Sequence, residues 1–451
     1  MNPEFQRNLW IELTPRRMIL MAVLLALAFF AAAVSGDINQ TPADAARWLF
    51  AIVVVVWGTR NAATAVVSEI RDRTWDMQRL SALGPGAMMW GKLFGATSFN
   101  WFGGALCLAV IVGDAAMRRG AAAAAADLVY YVAVGVIAQA AAFLASLVAV
   151  RRRQSHSRLD VFVYQAVGLA AALAVHQIWS VARVAPAAPW NDLVWWGVRL
   201  DARVFLLASL AVFAGWIVTG CYREMRLELM MRNGIAVWLA FLVFIGLYVA
   251  GFDAWLPTNR LVAGYDAVAL RLLLATAAYA ILTYAMVILE PKDRVHYRWL
   301  GSQLSSARLG AFFGGLQSWM MAYAAALVCA AAAVARLELA HPDMQGPPAL
   351  IAAGLGFLTR DVALFVVMRS RRRGDLATLG ILLAAYVLVP AILKGLGFAA
   401  LLVLFLPQPE APSWIGAALA WGEGLALAAL ALSGASSRRS SAGRSEPSPA
   451  S

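Results

Sequence analysis

Apolar runs of roughly 18 to 25 residues recur from one end of the chain to the other, each long enough to cross about 30 Å of hydrocarbon as a helix. In that solvent every backbone polar group must be satisfied internally, so the runs imply an all-α polytopic membrane protein. They place twelve spans near residues 18–35, 47–67, 93–114, 121–150, 159–182, 203–221, 235–253, 267–289, 311–335, 347–368, 377–406 and 411–433. With 62% hydrophobic and only 14% charged residues, little chain remains for a large soluble domain. The third and eleventh spans hold enough Gly, Asn or Lys to be expected broken or tilted.

A net charge of +12 would suit a nucleic-acid binder, but its placement argues for a bilayer as the partner and against nucleic acid. With the N-terminus inside, 25 of the 37 Lys and Arg fall in cytoplasmic segments, 9 in outer segments or at outer span ends, and 3 within spans. That bias predicts a multi-pass protein of the cell's inner membrane with both termini cytoplasmic. Arg151 to Arg153 with Arg158, and Arg369 with Arg371 to Arg373, read as topology anchors. Trp190, Trp195 and Trp196 suit an aromatic belt or a cap on an outer pathway. The Ser, Pro and Arg of 434–451 predict a disordered cytoplasmic tail. Arg16 and Arg17 before an apolar run imitate a signal peptide, yet they belong to the repeat described next, so cleavage is not expected. Cys107, Cys221 and Cys329 form no disulfide framework. The four histidines have no metal-ligand spacing, and no directly bound metal or cofactor is expected.

Two stretches resemble each other. Arg7, Ile11, Glu12, Leu13, Arg16 and Ile19 are echoed 216 residues later by Arg223, Leu227, Glu228, Leu229, Arg232 and Ile235. Glu69, Arg71, Asp72 and Arg73 are echoed 221 residues on by Glu290, Lys292, Asp293 and Arg294. Two echoes at nearly one offset predict a duplicated six-span unit, with halves at 1–220 and 221–433 related by a pseudo-twofold axis along the membrane normal. Each half opens on a stretch, 3–17 and 222–233, whose apolar residues fall on one face. Phe5, Leu9 and Leu13 are four apart, as are Met225 and Leu229, so both stretches read as interfacial helices.

The loop between spans two and three carries the sharpest motif: Glu69-Ile70-Arg71-Asp72-Arg73-Thr74-Trp75-Asp76, then Gly84-Pro85-Gly86, then Gly91-Lys92 as the third span opens. Here the chain resembles the permease subunits of type 2 ATP-binding-cassette exporters. In that family an elbow helix precedes the first span, and a loop with an acidic residue, a basic stretch, a Thr and a short amphipathic helix docks on the ATPase. The resemblance covers residue 2 to about 113 well and 222 to about 335 more loosely. It implies coupling loops at 68–92 and 290–308, with Glu69, Arg71, Asp72, Arg73, Thr74 and Asp76 in the first and Glu290, Lys292, Asp293 and Arg294 in the second. It also implies a separate ATPase subunit, two copies per assembly, export as the direction, and ATP used only through that partner. Two departures stand out: both halves sit in one chain, and the second loop lacks the Thr74-Trp75-Asp76 element. The run Gly86 to Leu93 fits a phosphate-loop spacing, but Leu93 stands where a Ser or Thr must bind Mg²⁺, so the chain is not expected to be an enzyme.

Charges inside spans cost at least about 2.5 kcal/mol each unless paired or wetted. Arg360 and Asp361 are neighbours in span ten, and Lys394 and Glu423 reach matched depths around Pro409, predicting an interhelical pair. Such charges also suit the alternative of an ion-coupled carrier of six-plus-six architecture, whose corresponding loop carries Asp-Arg, as Asp72-Arg73 and Asp293-Arg294 do here. A membrane glycosyltransferase is a third class, and no acidic pair in the first outer loop supports it.

Overall fold

The structure, a computed structural model, describes residues 2–35, 41–151, 158–184, 192–255, 266–290, 294–340, 346–370, 374–408 and 412–433. Arg152, Arg153, Trp190, Lys292, Asp293, Arg371 to Arg373 and the tail at 434–451 lie outside them. Ten helices among the described residues are long and apolar enough to cross a membrane, and two shorter apolar helices, Ala236–Ala250 and Trp414–Leu430, accompany them. The chain is therefore an all-α protein of polytopic membrane character.

It divides into two compact units, residues 1–193 with 199–233, and residues 194–198 with 234–451. The first unit contains α1 (Pro3–Glu12), α2 (Pro15–Val34), α3 (Pro42–Phe50), α4 (Gly58–Arg71), α5 (Trp75–Arg79), α6 (Pro85–Trp90), α7 (Ser98–Arg119), α8 (Ala121–Arg151), α9 (Arg158–Val184) and α10 (Ala202–Glu228). A short hairpin, β1 (Asp192–Trp195) and β2 (Val198–Asp201), precedes α10. In the second unit lie α11 (Ala236–Ala250), α12 (Ala267–Leu289), α13 (Arg294–Ser305), α14 (Leu309–Gly314), α15 (Ser318–Ala340), α16 (Gly346–Ser370), α17 (Asp375–Leu383), α18 (Val389–Gly395) and α19 (Trp414–Ser433).

Proline and capping chemistry set several of these ends. Asn2 accepts from the backbone of Glu4 and Phe5, and Pro3 and Pro15 start α1 and α2 at positions where the missing N–H costs nothing. Three helices end on a non-glycine residue in the left-handed conformation: Arg73 after α4, Met230 after α10 and Ala307 after α13. In each, the following N–H reaches back five residues, to Glu69, Arg226 and Gln303. These are Schellman ends in which L side chains accept a strain that glycine would avoid.

The span at 42–71 passes through a π-helical stretch, Ala51–Trp57. Side chains bond several of its carbonyls. Asn100 of α7 donates to the Val53 carbonyl at 2.9 Å, Gln139 of α8 to Val54 at 3.0 Å, Gln165 of α9 to Val56 at 2.9 Å, and Thr59 to Val55 at 2.6 Å. Asn100, Gln139 and Gln165 thus staple this span to three neighbouring helices by interhelical hydrogen bonds of the kind that help hold membrane helices together. In the second unit α15 lays Ala322, Ala326, Ala330 and Ala333, all fully buried, into the core it shares with α12 and α16. Small side chains at that spacing let backbones approach, which is how helices associate without a hydrophobic gradient.

Three expectations need correction. The interfacial helix anticipated at 222–233 is not separate. Tyr222–Glu228 continues α10 because no proline or capping residue interrupts it, and residues 221–233 belong to the first unit. The first such helix ends at Glu12 rather than 17, since Pro15 opens a new helix. The eleventh span is broken, as its Gly and Lys suggested, but its bounds change, since no single helix runs to 406: after a π stretch, Ala384–Leu388, and α18, Gly397 adopts φ +79° and the chain continues as a 3-10 turn, Ala399–Leu404. The third span is likewise interrupted, with a π stretch at Gly91–Gly95 ahead of α7.

Candidate functional site

A cluster of buried charges forms in the first unit where α1, the end of α4, α5, the Gly91–Gly95 stretch and the end of α10 meet. Contact begins with glycine. A Cβ on Gly91 would stand 2.8 Å from the backbone nitrogen of Phe5, and one on Gly95 would stand 2.8 Å from Asn8 Cβ. Bare backbone at 91 and 95 therefore seats successive turns of α1. Asn2 donates to the Ala87 carbonyl at 2.7 Å and Asn8 to that of Gly91 at 3.2 Å, fixing the register.

Lys92 sits in the centre, with 1% of its side chain exposed. Its ammonium lies 2.7 Å from Glu4 Oε1, pairs with Glu69, and approaches the Trp75 ring to 5.9 Å. Arg7 reaches Glu4 at 3.0 Å and Glu69 at 2.7 Å, so two cations balance two carboxylates. Gln78 donates to Glu69 Oε1 at 2.7 Å, tying α5 to α4. On the other side of α5 the Trp75 indole N–H donates to Glu228 Oε1 at 3.2 Å, and Arg79 lies 3.9 Å from the same oxygen. Buried charges persist in this way only when each is paired and hydrogen-bonded. Beside the cluster, burial pushes the Glu12 carboxyl up, against the pull of Arg17 at 3.5 Å.

This geometry divides the predicted residues into two faces. Glu69 turns into the cluster, with 13% of its side chain exposed, and Arg79 is half-buried against Glu228. Arg71, Asp72, Arg73, Thr74 and Asp76 remain exposed, joined by Met77 at 76% and Leu80 at 88%. Sequence reasoning missed Glu4, Trp75 and Glu228 as members of the cluster. Asn2-Pro3-Glu4 carries the helix-start chemistry that could have drawn attention to the first of them. The lysine of the phosphate-loop-like run is Lys92, whose ammonium is already committed.

In the second unit Glu290 caps a helix. Its carboxylate accepts from the N–H groups of Ser318 at 3.1 Å and Trp319 at 3.4 Å, at the start of α15. Gln317 accepts from Tyr297 at 3.1 Å and from the Trp319 indole at 2.7 Å. A helix N-terminus thus faces the acid where the first unit offers a lysine. Lys292 and Asp293 lie outside the described residues, as does the side chain of Arg294.

Charges in the apolar part of the second unit do not pair as expected. Glu423 lies 3.2 Å from Arg360, not against Lys394, which is exposed on α18 without an ion pair among the described residues. The break at Gly397 ends the antiparallel hairpin on which the depth match depended. Arg360 also contacts Asp361 at 3.1 Å, and Asp361 accepts from Tyr284 at 2.7 Å and Tyr386 at 2.6 Å.

No family model, curated protein or solved structure matches the chain.

Proposed function

We propose that the chain is the membrane-spanning permease component of an ATP-binding-cassette transporter of the type 2 exporter class, with both halves in one polypeptide. In this reading a separate ATPase, two copies per assembly, docks on the 68–92 loop, and ATP is bound and hydrolysed by that partner alone. The chain then belongs to the inner membrane with both termini cytoplasmic, as the distribution of Lys and Arg suggests. One observation carries the proposal: α5 is held from within through its Trp75 and Gln78, by Lys92, Glu69 and Glu228, while it turns Asp76, Met77 and the following Leu80 outward. A helix gripped on one face and bare on the other can pass a rigid-body push from a partner into α1, α4 and α10. The second loop, anchored by a helix cap, is a weaker candidate for the same work.

A second reading, an ion-coupled carrier, draws support from the ionisable cluster of Arg360, Asp361 and Glu423 in an apolar unit. The two are separated by reversing the exposed charges Arg71, Arg73 and Asp76. Permease function predicts that transport and ATP hydrolysis become uncoupled while the folded chain persists, since surface substitutions shift stability by no more than about 0.5 kcal/mol. Transport that continues in ATP-depleted vesicles under a proton gradient overturns the permease reading.

A further inference from the structure

The cluster around Arg360 has an uneven charge count. Arg360 is 8% exposed and supplies one positive charge; Asp361, 1% exposed, and Glu423 supply two negative ones. Among the described residues, the other titratable groups that meet these three are the hydroxyls of Tyr284 from α12 and Tyr386 from the π stretch at 384–388. The 3-10 turn Ala399–Leu404 contributes no ionisable side chain, only the Leu404 carbonyl, which accepts from Arg360 Nη1 at 3.1 Å. With every acid ionised the group carries a surplus of one negative charge among apolar helices, which is costly in a low-dielectric medium.

The two carboxylates are held very differently. Asp361 accepts three hydrogen bonds among the described residues, one from the guanidinium and two from tyrosine hydroxyls. The guanidinium carbon rests 4.6 Å from the Phe357 ring centroid and 5.1 Å from that of Tyr386, which immobilises the Arg360–Asp361 pair. Among the described residues Glu423 has a single hydrogen bond, from an Arg360 nitrogen already shared with the Leu404 carbonyl, and its side chain is 34% exposed. Arg360 and Asp361 form a neutral, locked pair; the surplus charge resides on the accessible carboxylate.

We propose that Glu423 is a site for one positive charge in the apolar part of the second unit, taken as a proton or as the cationic head of an organic ammonium or phosphonium compound. Uptake of that charge brings the cluster to neutrality and loosens the Arg360–Glu423 contact, while Asp361 keeps Arg360 compensated. The contact joins α16 to α19, so occupancy of the site bears on how those two helices pack beside the broken segment at 396–404. No group of the first unit enters this argument, and the proposal stands apart from docking at 68–92.

The test is carboxyl labelling of the full chain in lipid vesicles with dicyclohexylcarbodiimide, which attacks protonated carboxyls in apolar surroundings, followed by peptide mapping. The proposal expects Glu423 to be labelled, Asp361 to be spared, and labelling of Glu423 to be lost progressively from mildly acidic to alkaline pH. Glu423→Gln, a neutral isostere that leaves the Arg360–Asp361 pair intact, abolishes the label at that peptide. Tetraphenylphosphonium distinguishes the two occupants: protection of Glu423 identifies an organic-cation site, and pH-dependent labelling that the cation does not alter identifies a proton site. A Glu423 that stays unlabelled at every pH, or is labelled equally at all pH values and unprotected, is a structural partner of Arg360 and overturns the proposal.

Discussion

Lys92 shows how one side chain can organise several elements. Its ammonium satisfies Glu4 and Glu69 together, and Arg7 completes the balance, so removing the lysine strands carboxylates that are nearly dry. Lys92→Met is expected to cost about 3 to 5 kcal/mol, whereas joint replacement of Lys92, Glu4 and Glu69 by apolar residues costs much less, because no unpaired charge is left behind. Apparent melting temperatures of the purified chain in detergent check this, and a joint variant as unstable as the single one contradicts it. Glu12 gives a pH-dependent companion. Its carboxyl is raised by burial, so its charged form opposes folding: that stability is present at low pH and is lost as pH rises through the folded-state value. Glu12→Gln is therefore expected to raise the melting temperature at neutral pH, with the advantage vanishing in acid.

At the scale of elements, glycine at 91 decides whether α1 can seat. Gly91→Ala drives a methyl group against the Phe5 backbone and is expected to cost about 1 to 3 kcal/mol, as overpacking usually does, and to loosen α1 specifically. Faster hydrogen exchange across 3–12, with exchange in α8 unchanged, is the expected result. The helix ends offer a change of opposite sign. Ala307→Gly removes left-handed strain worth roughly 1 kcal/mol after α13, and a melting temperature that falls instead would show that the Schellman end is not under strain. The sequence marks these elements unevenly. Hydropathy places the helices at 121–151 and 267–289 closely, because long apolar runs leave no other structure available. It fails at 222–233, where the pattern is amphipathic but nothing breaks the helix before Glu228; at 377–406 the expected break is present and falls at Gly397, a position that hydropathy alone does not give.

For the whole molecule, the chain divides into two compact units, and the second echo of the leader belongs to the first unit rather than opening the second. Both echoes end a helix at the glutamate of the motif, Glu12 and Glu228, so the repeated residues mark a helix end more faithfully than they mark a module boundary. The candidate site was half legible. Glu69 and Gly91-Lys92 stand out as charges and glycines beside an apolar run, but the sequence could not tell which face of α5 points inward, since that depends on Trp75 finding Glu228, 153 positions away. The orientation of the loop is open to the same treatment: reporter fusions are expected to place residues 71–80 and 151–158 on the same side of the membrane, and opposite signals would overturn the topology.

Docking of the first loop on an ATPase is tested most directly by placing photocrosslinking residues at Asp76, Met77 and Leu80 on the bare face of α5, and at Trp75 and Gln78 on the gripped face, in chains expressed at native level in intact membranes. The account predicts that the three outer positions capture one polypeptide with nucleotide-hydrolysing activity, and that the two inner positions capture only the chain itself. Equal capture from both faces, or no ATPase adduct from the outer positions, would contradict it.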